Sequence, residues 1–303
     1  MTPADAVPKL VWSISQVINS APAARTTRRF NPGGNMGTAR IPRLVSGLAL
    51  LLCMIALPVA ATAGTLEEVK KRGELIVGVR YDMPPFGTVD PQGALQGIDV
   101  ELAKQIAGKL GVKIKFQQVT AQTRIPLLLN GNVDLIAAGL AKTEERAKVV
   151  QYSSIYIETG TVFLVLKDSP IKSWQDVKGK TVATIQGSSY LGLLRKKTTD
   201  FQSLVFQEYP QAILAVEQGR ADTLMVEDAT AVNLIKGREE KFKLVGRPRD
   251  FEAYEIGLGM RKNDEEWVKY VNSTLGELWK SGELKRIVAP YGLRYDADFR
   301  IPS

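Results

Sequence analysis

Short apolar segments alternate with segments of helical periodicity from residue 75 to residue 291 of this chain. The first pair is typical of the pattern. Residues 75–80 form a short apolar run, and residues 99–110 carry apolar side chains at helical spacing and end before Gly111. Strands that alternate with helices predict an α/β fold, with parallel sheets covered by helices on both faces.

The same pattern predicts the remaining elements of the chain. We expect further strands at residues 112–119, 134–139, 161–166, 181–185, 204–206, 222–226 and 256–260. Helices are expected at residues 124–130, from 143 onward, and at 187–196, 210–218, 229–235 and 265–291. The 303 residues suffice for one large domain or two small ones with cores of their own.

The first 63 residues differ in character from the rest of the chain. A basic segment precedes an uncharged apolar run at residues 44–59, and small residues follow at positions 61 and 63. This order predicts a signal peptide over residues 1–63, cleaved after Ala63, and therefore a periplasmic protein. A membrane anchor is the alternative, but the run contains Pro58 and is shorter than the ~20 residues that a spanning helix needs. Met36 is an alternative start of translation.

Charge and residue usage exclude several classes of function. Six of the 40 basic residues and one of the 32 acidic residues lie in the leader, so the formal charge falls from +8 to +3 without it. This mild charge argues against a nucleic-acid partner. The chain has no histidine, which excludes histidine-dependent catalysis and His-ligated zinc, and its single cysteine, Cys53, lies in the leader. We expect no cofactor and no metal.

Several motifs, taken in order, resemble those of the polar amino-acid-binding proteins of ABC transporters. They are Val77-Gly-Val-Arg80 with Pro84-Pro-Phe-Gly87, Gly97-Ile-Asp-Val-Glu-Leu-Ala103, Arg124-Ile-Pro126, Gly131-Asn-Val-Asp134, Gly139 with Thr143-Glu-Glu-Arg146, Tyr152-Ser153, Tyr156, Gly187-Ser188-Ser189, Gly219-Arg-Ala-Asp222, Glu227-Asp228 and Tyr254. Each motif is weak alone, but the ordered set extends over nearly all of residues 65–295.

The resemblance implies a two-lobe periplasmic binding protein fold of type II, with the ligand in a cleft between lobes joined by two crossover strands. Lobe 1 would comprise residues 64–155 and 252–303, and lobe 2 residues 156–251. The implied function is the capture of a polar amino acid, in the first place glutamate or aspartate, for the permease of an ABC transporter. The resemblance also implies a monomer without enzymatic activity that closes about a hinge.

The resemblance assigns the charged groups of the ligand to four residues. Arg146 matches the arginine that holds the α-carboxylate, and its guanidinium can donate two parallel hydrogen bonds to a carboxylate. Asp228 is the candidate for the α-ammonium group, at the end of a strand where open α/β sheets bind ligands. Arg80 and Arg124 match positions near the side-chain carboxylate of acidic ligands. From position alone, Arg146 could equally be a surface residue and Asp228 a helix cap.

Neutral side chains complete the expected site. Phe86 and Tyr209, together with Tyr81, are candidate walls for the methylene groups of the ligand, although aromatic residues more often pack in a core. Ser188 and Ser189 could donate to carboxylate oxygens or cap a helix, and Gly139 belongs to the matched set. The sequence departs from the family at Leu140, Ala141 and Ala121, where relatives often carry hydroxyl groups, and this leaves the ligand open.

Two other functions compete with transport. A few proteins on this fold are lyases such as cyclohexadienyl dehydratase, and Glu227 could act as an acid or base if it were desolvated. A sensor that binds the same ligand and docks to a receptor is the second alternative, and no sequence feature excludes it.

Overall fold

The structure is a computed structural model, and it describes residues 64–291. All of these residues belong to one compact unit. The predicted signal peptide and the last twelve residues lie outside the described residues. Within residues 64–291, no helix is both long enough and apolar enough to cross a membrane.

Strands and helices alternate along the described chain, as the periodicity predicts. The strands are β1 (Glu74–Val79), β2 (Asp82–Met83), β3 (Gly87–Val89), β4 (Leu95–Gln96), β5 (Lys113–Gln118), β6 (Leu135–Ile136), β7 (Val150–Tyr152), β8 (Ile157–Thr159), β9 (Thr161–Leu166), β10 (Lys180–Ile185), β11 (Phe201–Phe206), β12 (Thr223–Glu227), β13 (Phe242–Val245), β14 (Tyr254–Ile256) and β15 (Gly259–Arg261). The α-helices are α1 (Thr65–Arg72), α2 (Ile98–Leu110), α3 (Arg124–Leu129), α4 (Glu144–Ala147), α5 (Tyr190–Arg195), α6 (Tyr209–Glu217), α7 (Asp228–Leu234), α8 (Glu265–Lys280) and α9 (Glu283–Val288).

Two five-stranded sheets organise these elements. The first has the order β5-β1-β6-β15-β7, in which β1 pairs in parallel with β5 and β6 while β15 runs antiparallel to both of its neighbours. The second has the order β11-β10-β12-β9-β13, in which β10 is parallel to β11 and β12 while β9 runs antiparallel to β12 and β13. We call the parts built on these sheets the first half and the second half.

The chain passes between the two halves twice, and the two passages pair with each other. Strand β8 leads into the second sheet and β14 leads out of it, and the two form an antiparallel ribbon from Tyr254↔Thr159 to Ile256↔Ile157. Mixed α/β sheets with this connectivity confirm the predicted fold class. The predicted lobe boundaries, before residue 156 and before residue 252, stand just outside this ribbon and remain predictions.

The structure corrects the prediction of parallel sheets, because each of the two large sheets also contains an antiparallel strand. The strand predicted at residues 256–260 is two strands, β14 and β15, which belong to different sheets. The prediction at residues 134–139 was also too long, since only β6 is a strand there. The sequence pattern did not predict α1, the three-stranded sheet β2-β3-β4, or strands β7, β8 and β13. Of these elements, only α1 and β13 are longer than three residues, so the others are too short to show a periodicity.

Helix α8 shows how the core holds the first half together. Its buried side chains Trp267, Val271, Leu275 and Leu278 follow the spacing of one helical face. The indole of Trp267 donates a hydrogen bond of 3.2 Å to the carbonyl oxygen of Asp134, next to β6. Helix α8 is thereby fixed to the sheet whose strand ends carry the site.

Candidate functional site

A cavity of about 380 Å³, open solvent included, lies between the two halves. The wall includes residues at the carboxyl ends of β1, β10 and β12, which are Arg80, Ile185 and Glu227. Ligands of open α/β sheets bind at this edge.

Seven of the nine residues predicted from the sequence line this cavity. They are Arg80, Arg124, Gly139, Arg146, Ser188, Ser189 and Tyr209. The structure thus brings together residues from both halves that are up to about 130 positions apart in the chain. Their roles toward a ligand remain predictions.

Phe86 does not line the cavity, which corrects its expected role as a wall. Its side chain is fully buried in the hydrophobic core. Met83 takes the wall position instead, and a Cβ atom on Gly139 would lie 2.6 Å from the Met83 methyl group. Tyr81 is half-buried against the same core and is likewise absent from the wall.

Asp228 is also absent from the wall, and the neighbouring Glu227 takes its expected place. The Oδ1 atom of Asp228 accepts hydrogen bonds from the Thr159 hydroxyl group and from the backbone N–H groups of Gly160 and Ala229. This carboxylate therefore holds the start of α7 against the end of β8. The helix-capping alternative describes it better than a contact with the ammonium group.

Among residues 64–291, Glu227 is the one acidic side chain in the wall of the cavity. It is only 2% exposed, and its Oε1 atom accepts a hydrogen bond of 2.5 Å from the hydroxyl group of Thr230. Burial raises the pKa of Glu227 to about 7, although the Thr230 hydrogen bond and the charge of Arg80 lower it. A cationic group of a ligand would favour the ionised form of this carboxyl group.

Arg124 begins α3 and is 3% exposed. Its Nη1 atom donates to the carbonyl oxygens of Ala138, at 2.6 Å, and Gly139, at 3.3 Å. Its Nε atom has no hydrogen-bond partner, and the side chain makes no salt bridge within residues 64–291. Burial, followed by the charges of Arg146 and Arg80, lowers the pKa of Arg124 to about 9. Among the described residues, this guanidinium therefore has no carboxylate in direct contact.

Arg146 lies in the first turn of α4, and Thr143 caps that helix as predicted, accepting the Arg146 N–H at 3.2 Å. Its guanidinium donates to the carbonyl oxygen of Ala141 at 2.8 Å and to that of Gly187, in the second half, at 3.0 Å. Burial lowers the pKa of Arg146. It too forms no salt bridge in the described part of the chain.

Arg80 differs from the other two arginines because Asp82 already neutralises it. Its Nε and Nη2 atoms donate to the two carboxylate oxygens of Asp82, at 2.7 and 2.6 Å. Burial lowers the pKa of Arg80, but the hydrogen bonds and charge of Asp82 outweigh burial, and the net shift is upward. The prediction that Arg80 binds a ligand carboxylate did not include this partner, although Asp82 lies only two positions further along the chain.

Asp99 is a second carboxylate that the sequence reasoning did not assign to the site. It is fully buried beneath the cavity, where its Oδ2 atom accepts the Gly139 N–H at 2.6 Å and its Oδ1 atom accepts the Tyr156 hydroxyl group. Burial raises the pKa of Asp99 to about 6. Asp99 and Arg124 together hold the backbone around Gly139 in place.

The two halves approach each other closely at Gly187. This residue has a φ of +78°, and a Cβ atom on it would lie 2.7 Å from the Cα atom of Gln122 in the first half. Next to it, the Ser189 hydroxyl group contacts the hydroxyl group of Tyr254 at 3.3 Å, and Ser188 contacts Thr184 at 3.2 Å. Both serines line the cavity, and each has a hydroxyl partner.

Residues 75–294 match the family described as bacterial extracellular solute-binding proteins, family 3. Over 220 residues, 71% of this chain and 83% of the relative, the sequence is 37% identical to a glutamine-binding protein of Geobacillus stearothermophilus. It is 30% identical to an L-glutamate/L-aspartate-binding protein of Pseudomonas aeruginosa over 266 residues, which are 81% of this chain and 86% of that protein.

Solved structures agree with the fold. A variant of ArgBP from T. maritima has a TM-score of 0.71 and 35% sequence identity, and the match covers 75% of this chain and 99% of that one. The ancestral amino acid-binding protein AncCDT-1, a precursor of cyclohexadienyl dehydratase, has a TM-score of 0.69 and 31% identity, covering 76% and 99% of the two chains.

Proposed function

Because this chain belongs to family 3 of the bacterial extracellular solute-binding proteins, we propose that it binds an acidic amino acid, glutamate or aspartate, in the cavity between its halves. The amino-acid ligand and the partnership with an ABC transporter follow from the family. The acidic side chain is our inference from the charges of the cavity.

The charge balance of the cavity carries this proposal. Arg80 and Asp82 form a pair, which leaves Arg124 and Arg146 against Glu227 among the wall residues within 64–291, while Asp99 lies beneath the wall with its oxygens occupied by Gly139 and Tyr156. An acidic amino acid brings two carboxylates and one ammonium group, so each charged group would find one partner of opposite sign. Because unpaired buried charges are costly, this complement favours an acidic ligand over a neutral one.

The roles follow from the position of each group. Arg146 would hold the α-carboxylate with its two-pronged guanidinium, and Glu227 would accept hydrogen bonds from the α-ammonium group. Arg124 would hold the side-chain carboxylate, and this carboxylate would accept a hydrogen bond from the unpartnered Nε atom of Arg124. Tyr209 and Met83 supply apolar surface for the methylene groups.

Glutamine is the second candidate ligand, and the Arg80–Asp82 pair is the observation that favours it. Since Asp82 already pairs with Arg80, Arg124 is the one cation that remains for the side chain of a ligand. The amide oxygen of glutamine could accept a hydrogen bond from Arg124, so the ligand would not need a side-chain carboxylate. The similarity to the Geobacillus glutamine-binding protein points the same way.

We propose that the protein binds without turnover and delivers the amino acid to a membrane permease, as a periplasmic monomer. A lyase of the cyclohexadienyl dehydratase type would need an acid or base in the cavity, and Glu227 is the group that could serve. Incubation with prephenate or arogenate tests this directly, and release of an aromatic product would replace the transport proposal.

Calorimetric titration of the purified protein with the twenty amino acids tests the ligand, after unfolding and refolding to remove any bound solute. We expect tight one-to-one binding of glutamate or aspartate. Arg124→Gln should weaken binding of the acidic ligand relative to glutamine by roughly 30-fold or more, since it removes one partner of a buried charge pair. The exposed control Arg195→Gln should leave both affinities unchanged. Preference for a neutral or basic amino acid would contradict the acidic assignment.

A further inference from the structure

Asp82 is a largely buried carboxylate that contacts Arg80 of the site but does not line the cavity. It forms β2 with Met83, just after the strand that ends beside Arg80. Its side chain is 10% exposed and that of Arg80 is 2% exposed, so the two charges form a pair largely shielded from water. A pair in this setting interacts more strongly than one on the surface.

The same carboxylate also contacts the second half. Its Oδ2 atom accepts the backbone N–H of Tyr209 at 3.0 Å, at the first residue of α6. The guanidinium of Arg80 lies 5.6 Å from the centre of the Tyr209 ring. Asp82 therefore holds Arg80 in one orientation and joins the two halves next to the cavity.

We propose that Asp82 is a specificity-determining residue, a built-in carboxylate that occupies Arg80 and limits the cavity to one excess positive charge. This inference rests on the proposed function. Without Asp82, the guanidinium of Arg80 would be free to bind an anion, and the cavity wall within residues 64–291 would hold three arginines against the one carboxylate of Glu227.

The charge count gives opposite expectations for the two members of the pair. Asp82→Asn raises the excess charge from one to two, so the preference for glutamate over glutamine should increase, by roughly tenfold or more. Arg80→Gln lowers the excess to zero, so the same preference should decrease by a comparable factor. The double variant restores the original count and should bring the preference back to within about threefold of wild type, although both affinities fall with the lost contact.

The experiment measures the dissociation constants of glutamate and glutamine by calorimetry for these four proteins. Glu67→Gln is the matched control, since it removes one negative charge from an exposed pair with Lys70 and should leave the ratio of the two constants unchanged. If Asp82→Asn does not fold, Asp82→Ser makes the same change of charge and keeps an acceptor near the Tyr209 N–H.

Opposite shifts in the single variants and recovery in the double variant would support the proposal. An equal loss of both affinities in Asp82→Asn would overturn it and leave Asp82 as a contact between the halves. Shifts in the same direction, or a double variant as altered as the single ones, would overturn it as well. If the wild-type protein binds neither glutamate nor glutamine, the proposed function is wrong. This outcome differs from those that overturn the role of Asp82, because they require a wild-type protein that binds.

Discussion

Ligand affinity should depend on pH through Glu227, because this carboxyl group has a pKa of about 7 in the free protein. An ammonium group binds best to the ionised form. The affinity is therefore full above pH 7 and falls as the pH drops through the pKa. At pH 8 the group is mostly ionised, whereas at pH 6 it is mostly protonated, and the ionised fraction changes by about tenfold between them.

The pH range from 6 to 8 is favourable for measuring the titration of Glu227, because few other groups titrate there. The sequence contains no histidine, so the usual source of titration near neutrality is absent. The charged groups that act most on Glu227 are Arg80, which lowers its pKa, and Asp228, which raises it. Asp99, with a pKa of about 6, is about half protonated at pH 6, but it does not line the cavity.

Calorimetry in two buffers with different ionisation enthalpies measures both the affinity and the number of protons released. We expect release of roughly half a proton at pH 7 and nearly one at pH 6, with an affinity about tenfold lower at pH 6 than at pH 8. Glu227→Gln should bind weakly and show a flat profile.

Glu283→Gln serves as the control for this experiment. Its carboxylate pairs with Arg286 on the surface, which lowers its pKa from an ordinary value that already lies below pH 6, so the variant should keep the wild-type pH dependence. An affinity that stays constant from pH 6 to pH 8 without proton release would refute the assignment of Glu227 to the ammonium group.

Three further outcomes are expected. Gly187→Ala should weaken ligand binding at least tenfold in a titration, because its Cβ atom would meet Gln122, whereas Gly179→Ala has a similar φ of +69° but open space around it and should bind normally. Asp99→Ala leaves two buried donors without an acceptor and should lower the free energy of unfolding by at least ~2 kcal/mol, measured with urea; a smaller loss would contradict its supporting role. The folded-state pKa values of Glu227 and Asp99 lie above the ordinary carboxyl range, so the folded state binds more protons, and the melting temperature of the ligand-free protein should rise from pH 8 to pH 6; calorimetry showing a fall would refute this.

Much of the site could be predicted from the sequence because its residues belong to local motifs. Arg146 follows a helix cap and Arg124 begins a helix, and both features are visible in a few consecutive residues. The sequence could not show that Glu227 and not Asp228 lines the cavity, because successive residues at a strand end face opposite directions and an error of one position exchanges them. The spacing of two residues between Arg80 and Asp82 suggests a possible ion pair. Whether the two side chains meet depends on the path of β2, which the sequence does not show.

The fold was predictable to a similar depth. The regular spacing of apolar residues identified the longer helices and strands, such as α2 and β9. Periodicity carries no information on strand direction, however, so β9 and β15 could not be recognised as antiparallel. Two-residue strands such as β6 are defined by their partners and not by a pattern of their own.

The position of β15 has a consequence for the order in which the protein can assemble during synthesis. This strand is made after the whole second half, yet its residue Gly259 pairs with both Ile136 and Tyr152 in the first sheet. Until it arrives, β6 has an open edge and β7 has no place in the sheet, whereas the second sheet uses only contiguous chain and can form earlier. A nascent chain would therefore expose an unpaired edge beside Gly139, and another strand could bind there before the cavity is complete.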